Sequence, residues 1–483
     1  MNSNYESVID ENPLLHIREK KIDTINHVVH SERACLKYYI LFSTSFIAFL
    51  QGWIWNTYGP ISVAVQQSTV FGWNGAIISF LSNWGPIAYV FAFYPTAVLL
   101  DSRGIRVSSI VSIILIFLSC AIRLIVTDDS FTCLILQHVG QALNGLAGPF
   151  AMSAGTTISS TFFPKHLRTI STSIFVIANM MGVSISYLLG PIMVPENGTI
   201  KDVRNYLWVA FILSSICMLM IFIYLPNKPT NAPSKSSTMK RSQEWEGFKK
   251  LFSNKSFISL ALSYGIMTGV YAGWGPLYCL IMEKFPKSII KYPQKTASWI
   301  GFYSNLSGNL SGLLLSYFSD MKVVNDIAST SSKSKKNINI KRNLLITISF
   351  LATVLYIVFS VFLIMPNKME TIGIEGIYIL CITGGVFING TPPLFFELSV
   401  DVVFPIAEGL TTTLLTLLNN IAGLIFLLLP SIGIEIEPTW IVLATTGSCF
   451  IAFVSLTFGS NNYLLKRSMV DDKEDDDEEK PIG

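Results

Sequence analysis

The stretch FLQGWIWNTYGP, residues 49–60, decides how the whole chain is read. It lies inside a run from Tyr38 to Val65 without a charged residue. Such a run can be a membrane helix, since crossing the hydrocarbon core takes about 20 apolar residues. Its middle nevertheless holds Gln51, Trp53, Trp55, Asn56, Tyr58 and a Gly59-Pro60 pair. Proline cannot donate to the helical ladder and clashes with the preceding turn, and lipid offers no substitute partner for the freed backbone groups. A polar, aromatic, breakable segment at membrane depth therefore implies that one side of it meets protein or a water-filled cavity. Gln51, Trp55, Tyr58 and Ser62 recur at helical spacing and are expected on one inward face.

Working outward, apolar runs of similar length recur along the chain. Of 483 residues, 51% are hydrophobic and 13% charged, with a mean hydropathy of +0.51, too apolar for a water-soluble fold of several domains. Spans are expected to begin near Tyr38, Trp73, Val107, Phe131, Thr169, Asn205, Ser256, Thr296, Asn343, Gly376, Gly409 and Pro438. The seven cysteines are scattered, without CxxC or ligand spacing, which argues against a disulfide framework or a zinc site. Neither HExxH nor a nucleophile-base pair lies at membrane depth, so neither an enzyme nor a bound metal or cofactor is expected, and no nucleic-acid partner. The acidic run 471–479 reads as a solvated end.

No cleavable signal is expected ahead of the first span, which is too long and too aromatic for one. With the amino terminus inside, roughly three quarters of the Lys and Arg residues fall on cytoplasmic segments, as the positive-inside rule requires. The sequon Asn197-Gly198-Thr199 then falls between the fifth and sixth spans on the opposite side, where glycosylation occurs.

The organisation expected is a cytoplasmic tail (1–37), a six-helix bundle (38–225), a polar linker (226–255), a second six-helix bundle (256–465) and an acidic cytoplasmic tail (466–483). Tyr58-Gly59-Pro60-Ile61 is echoed by Trp274-Gly275-Pro276-Leu277, and Trp55 then aligns with Tyr271. Parallel repeats of this kind belong to transporters whose substrate site lies between the halves.

Two motifs carry a family resemblance. Asp101-x-Arg103-Gly104-x-Arg106 resembles the loop signature of the major facilitator superfamily, in which Asp and Arg groups at helix ends lock the inner gate; Asp320 is its reduced counterpart in the second half. FFELSVDVVFPIAEG, residues 395–409, resembles the E-L-x-x-E-x-x-Y-P-x-x-E-G run of solute carrier family 49, the choline and haem transporter group. Glu397, Leu398, Pro405, Glu408 and Gly409 match, while Asp401 replaces Glu and Phe404 replaces Tyr. QGWIWNTYGPI, HVGQALNGLAGP (138–149) and YAGWGP (271–276) extend the resemblance over most of the helical chain, most closely to the family's lysosomal branch.

The resemblance implies an all-α membrane protein with the major facilitator fold, twelve transmembrane helices in two bundles. It also implies a secondary transporter, with proton-coupled export of pyridoxine from lysosome to cytosol as the specific expectation. Choline, ethanolamine or haem are the alternative cargoes, and a non-transporting nutrient sensor is the alternative of another class. Trp55 matches the family's substrate-caging Trp and Gln141 its substrate-contacting Gln, whereas the cage Tyr of the choline transporters falls on Ala272, beside Tyr271. Substrate contacts are thus expected from Gln51, Trp55, Asn56, Tyr58, Gln141, Asn144, Tyr271 and Trp274. Interfacial anchoring is the competing reading of the tryptophans.

His138, the one histidine inside a span, is a candidate proton carrier because its unperturbed pKa lies near 6.5. Glu397 and Asp401 are the alternatives, and with Glu408 they also read as gate structure beside Asp101, Arg103, Arg106 and Asp320. Asp10, Leu14 and Leu15 have the acidic-dileucine form that clathrin adaptors read as an address to lysosomes, with the plasma membrane as the alternative destination. A monomer in the bilayer, handling protons and one small solute, is the expected working unit.

Overall fold

The computed structural model describes residues 36–226, 244–327 and 333–459, so the dileucine motif at Asp10, Leu14 and Leu15 lies outside them. The first half comprises α1 (36–55), α2 (Ser62–Gln66), α3 (Gly75–Ile125), α4 (Phe131–Leu146), α5 (Gly148–Ser153), α6 (Gly155–Phe162), α7 (Arg168–Met193) and α8 (Ile200–Ile223). The second comprises α9 (Glu244–Ser253), α10 (Lys255–Ala272), α11 (Trp274–Glu283), α12 (Pro293–Ile327), α13 (Lys333–Ile364), α14 (Pro366–Ile388), α15 (Pro392–Val403), α16 (Glu408–Leu428) and α17 (Pro438–Phe458). No strand occurs among the described residues. Among the described residues these helices are arranged as twelve crossings, as the major facilitator fold requires.

The 51-residue α3 is two crossings joined at Gly104, whose φ of 81° only glycine adopts without penalty. Other crossings are unbroken helices, but the first, fourth, seventh and tenth are each broken near the middle: at 56–61, at Ala147 and Ala154, at Gly273 with a 41° bend, and at 389–391. Broken backbone survives at membrane depth only when buried in protein or lining a cavity, so these four crossings must face inward.

The first break changes one expectation. α1 stops at Trp55, so Tyr58 and Ser62 leave the face that Gln51 and Trp55 share. Pro60 cannot continue the ladder, and the turn that replaces it carries Gly59 against the other half of the molecule: a Cβ on Gly59 would lie 3.0 Å from Pro276 Cα. The two echoed Gly-Pro motifs therefore meet. Part of the stretch expected to be linker is helical, α9, which buries Leu251 and packs on α10 and α16.

The halves join along two seams, α7 against α12 and α3 against α16. Within the first half, small residues permit close approach. Gly182 leaves so little room that a Cβ would sit 2.0 Å from Phe49 O, and Gly52 faces Asn179 O at 2.2 Å.

Candidate functional site

A central cavity lies between the halves, walled by the broken crossings together with α3, α7, α12 and α16. Its lining residues carry no charge. Gln51 and Trp55 reach it from α1, and Tyr264, Tyr271 and Tyr278 from the seventh crossing. Trp55 is held flat over Gly85, where a Cβ would come within 2.5 Å of the indole, and its Nε1 donates to Ser82 O at 3.0 Å. Tyr271 OH lies 2.7 Å from Ser304 Oγ, which donates to Cys381 O at 2.9 Å; the phenol is thereby the donor of that pair. Tyr89, also on the wall, bonds Thr416 and the backbone of Thr413 on α16.

The remaining expected contacts lie off the cavity wall. Asn56 donates to Ser186 Oγ (2.9 Å), Gln141 to Ile54 O (3.3 Å) and Asn144 to Gln51 O (3.1 Å). The last two brace the end of α1, where the ladder runs out of partners. Tyr58 donates to Gln137 Oε1 (2.6 Å), under the Arg123 guanidinium 5.2 Å from its ring. Trp274 donates to Thr445 Oγ1 (2.8 Å) inside an aromatic cluster with Tyr271, Tyr278 and Tyr356. His138 is half-buried on the outer side of the first half, its Nδ1 accepting from Trp84 Nε1 at 2.9 Å and its ring against Phe80.

Several residues matter more than sequence reading gave them credit for. Asn179, Asn305, Asn389, Asn419 and Asn420 all line the cavity. Arg123, fully buried, organises Tyr58 and Gln137 through a 3.0 Å bond from Nε to Gln137 Oε1. The available signal was an asparagine or arginine inside an otherwise apolar span, a pattern that marks function more often than accident.

Bonds between the halves bridge both sides of the cavity. On the side carrying the sequon, Gln294 Oε1 accepts from Ala64 N (3.2 Å), Gln294 Nε2 donates to Val194 O (3.3 Å), Tyr187 OH to Gly275 O (2.6 Å) and Ser79 Oγ to Leu427 O (3.1 Å). Asn197 is exposed in the loop after α7 on this side. On the opposite side, which carries the linker, Asp101 Oδ2 accepts from Leu410 N (3.1 Å), placing a carboxylate at the N-terminus of α16 where the helix dipole favours it. A Cβ on Gly409 would collide with that carboxylate at 2.6 Å, which explains the glycine after Glu408.

Buried Glu397 accepts from Thr172 Oγ1 (2.5 Å), and buried Glu408 accepts from Ser160. Each of these bonds also crosses between halves. Asp401 pairs with Lys341 at 3.4 Å within the second half. Arg103 and Arg106 stand exposed on the linker face, and of Asp320 only the backbone, in α12, is described. No group of His, Cys, Asp and Glu able to hold a metal occurs among the described residues.

Comparison with known proteins completes the picture. Residues 44–427 match the family model described as Major Facilitator Superfamily. The chain is 30% identical to a solute carrier family 49 member 4 homolog of Xenopus laevis, over 88% of this chain and 91% of that protein. This chain belongs to solute carrier family 49. A more distant relative of this family 49 protein is the choline/ethanolamine transporter FLVCR1 of Felis catus, 24% identical over 81% of this chain and 67% of the other. The fold recurs in the E. coli fucose:proton symporter FucP, with a TM-score of 0.57 and 13% identity over 88% of this chain and all of that one. As a family 49 protein, the chain is a multi-pass membrane protein of a transporter superfamily.

Proposed function

We propose that this family 49 protein carries a small organic solute across the membrane by alternating access, with pyridoxine as the cargo and export from the lysosomal lumen to the cytosol as the direction. The observation that carries the reading is the uncharged aromatic and amide cavity, bridged toward both faces by bonds that all run between the halves. A site reachable from either side only after one seal parts is what alternating access requires.

The linker face is cytoplasmic in this reading, which puts Asn197 in the lumen and Asp101, Glu397 and Glu408 at the cytoplasmic gate. A flat heteroaromatic ring suits the indole of Trp55 and the phenols of Tyr271 and Tyr278. Proton coupling supplies the drive: a lumen two pH units more acidic than the cytosol is worth about 2.7 kcal/mol per proton, enough for a gradient of roughly a hundredfold. Of the titratable candidates, Glu397 is buried at a seam between the halves, whereas His138 lies away from it. The second reading is a choline or ethanolamine carrier, favoured by the name of the FLVCR1 relative and by aromatic walls that can hold a cation.

The test is flux of labelled pyridoxine and labelled choline into proteoliposomes with and without an imposed pH gradient. Pyridoxine uptake that follows the gradient and is lost in Trp55→Ala supports the first reading. Choline uptake indifferent to pH, with no pyridoxine uptake, replaces it with the second.

A further inference from the structure

We propose that the cavity selects its solute by the hydrogen-bond donors the solute carries, with Asn179, Asn389, Asn419 and Asn420 as the specificity-determining residues. The proposal rests on the cavity being the substrate site and adds the chemistry it recognises. Each of these four side chains commits its amide nitrogen to the protein. Asn179 Nδ2 donates to Ala48 O and Gln51 Oε1, both at 2.8 Å. Asn420 Nδ2 donates to Thr416 O at 2.9 Å. A backbone carbonyl can only accept, so these bonds fix which end of each amide is nitrogen.

The other two are fixed by relay. Asn419 Nδ2 donates to Thr268 Oγ1 at 2.7 Å, and that hydroxyl spends its own proton on Tyr264 O at 2.6 Å. Asn389 Nδ2 donates to Asn305 Oδ1 at 3.1 Å, while Asn305 Nδ2 is anchored on Gly301 O at 2.8 Å. The consequence is the same four times over. Among the described residues the Oδ1 atoms of Asn179, Asn389, Asn419 and Asn420 meet no protein donor, and none of them is among the fully enclosed polar atoms lacking a partner.

Several donors, by contrast, are spent within the protein, both N–H groups of Asn179 and of Asn420 among them. Trp55 Nε1, Tyr271 OH and Tyr89 OH are all given to protein acceptors. What the wall can still donate is Gln51 Nε2, the second N–H of Asn305, Asn389 and Asn419, and the hydroxyls of Tyr264 and Tyr278, against two lone pairs on each of the four Oδ1 atoms, and phenols accept as readily as they donate. With no carboxylate on the wall, the acceptor-rich surface matches O–H and N–H groups of a neutral or singly cationic solute. A site built to bond hydroxyls rejects analogues lacking them far more strongly than an apolar pocket rejects an extra methylene. A primary ammonium presents three N–H donors to such a wall, and a quaternary ammonium presents none.

The experiment uses the full-length protein in nanodiscs and measures binding of two matched pairs: pyridoxine against its tri-O-methyl ether, and ethanolamine against choline. In any pair that binds, the donor-bearing member is expected to be about tenfold tighter or more. Asn419→Leu and Asn420→Leu should pull that ratio toward one, with melting temperature reporting whether each variant folds; the pairs themselves need no variant. A methylated member that binds as well or better, in every pair that binds, overturns the proposal, whichever scaffold the protein prefers. If the pyridoxine pair fails while ethanolamine still beats choline, the vitamin reading falls and the donor rule stands. No binding by any of the four at millimolar concentration overturns both.

Discussion

Replacing Gly59 with alanine should loosen the seal on the sequon side. The added Cβ would lie 2.8 Å from Asn56 Oδ1 and 3.0 Å from Pro276 Cα, against ordinary contacts that begin near 3.4 Å. Asn56 is tied to Ser186 Oγ at 2.9 Å and Pro276 offers backbone rather than a movable side chain, so relief comes from parting the halves where the two Gly-Pro motifs meet. Overpacking of this kind costs about 1–3 kcal/mol. The part of the strain that falls on Pro276 exists only while the seam is shut, so it acts directly on the equilibrium between sealed and open forms, shifting it about 5- to 160-fold if the whole cost falls there. Met152 lies on the cavity wall, and the six described cysteines are all buried, so Met152→Cys is a low-background reporter. Its alkylation by a membrane-impermeant maleimide, added from the sequon side of oriented liposomes, tracks the open population when opening is fast relative to reaction. The rate should rise at least about fivefold in Gly59→Ala from that side and not from the other. An unchanged or lower rate would refute the argument that the echoed motifs form the seal.

The mirror experiment is Asp101→Asn, which keeps the shape but removes the charge facing the N-terminus of α16; losing about 1–2 kcal/mol of closure should raise reporter alkylation from the linker side about 5- to 30-fold. Glu397→Gln should abolish the response of solute flux to a pH gradient while leaving solute exchange intact, and His138→Gln should leave both, because of these two residues Glu397 is the one on a bond between halves; flux at matched and opposed pH checks this, and the reverse pattern would move the coupling role to His138. Trp53→Phe removes a 2.7 Å bond to Tyr206 OH within the first half, so it should cost about 1 kcal/mol of stability and leave KM unchanged, whereas Trp55→Phe should raise KM; thermal melts and saturation curves separate the two. Gly182→Ala, with its Cβ 2.0 Å from Phe49 O, should lower the melting temperature of the purified protein by several degrees, consistent with about 1–3 kcal/mol of overpacking.

The crossings were legible because hydropathy and span length are properties of a single segment. So was the repeat: Gly59-Pro60 and Gly275-Pro276 stand out as helix breakers in apolar sequence, and the structure places them in contact. Periodicity could not supply the effect of the break on the residues beyond it. Helical spacing put Tyr58 on the face of Gln51 and Trp55, but a helix that stops at Trp55 has no face past that point. Nor could spacing tell which end of an asparagine points where, since the partners of Asn179, Asn389 and Asn419 come from other helices. Trp274 illustrates the same limit, because one bond to Thr445, distant in sequence, decides that it packs in the second half rather than on the cavity.

Counterflow tests the central claim most directly. Liposomes preloaded with unlabelled solute at high concentration, using whichever of pyridoxine or ethanolamine binds, are diluted into trace label with no pH gradient. One site that alternates between faces predicts a transient accumulation of label above equilibrium, present in wild type and lost in Trp55→Ala. Label that rises monotonically to equilibrium, or saturable binding with no entry, would contradict alternating access and leave a channel or a sensor in its place.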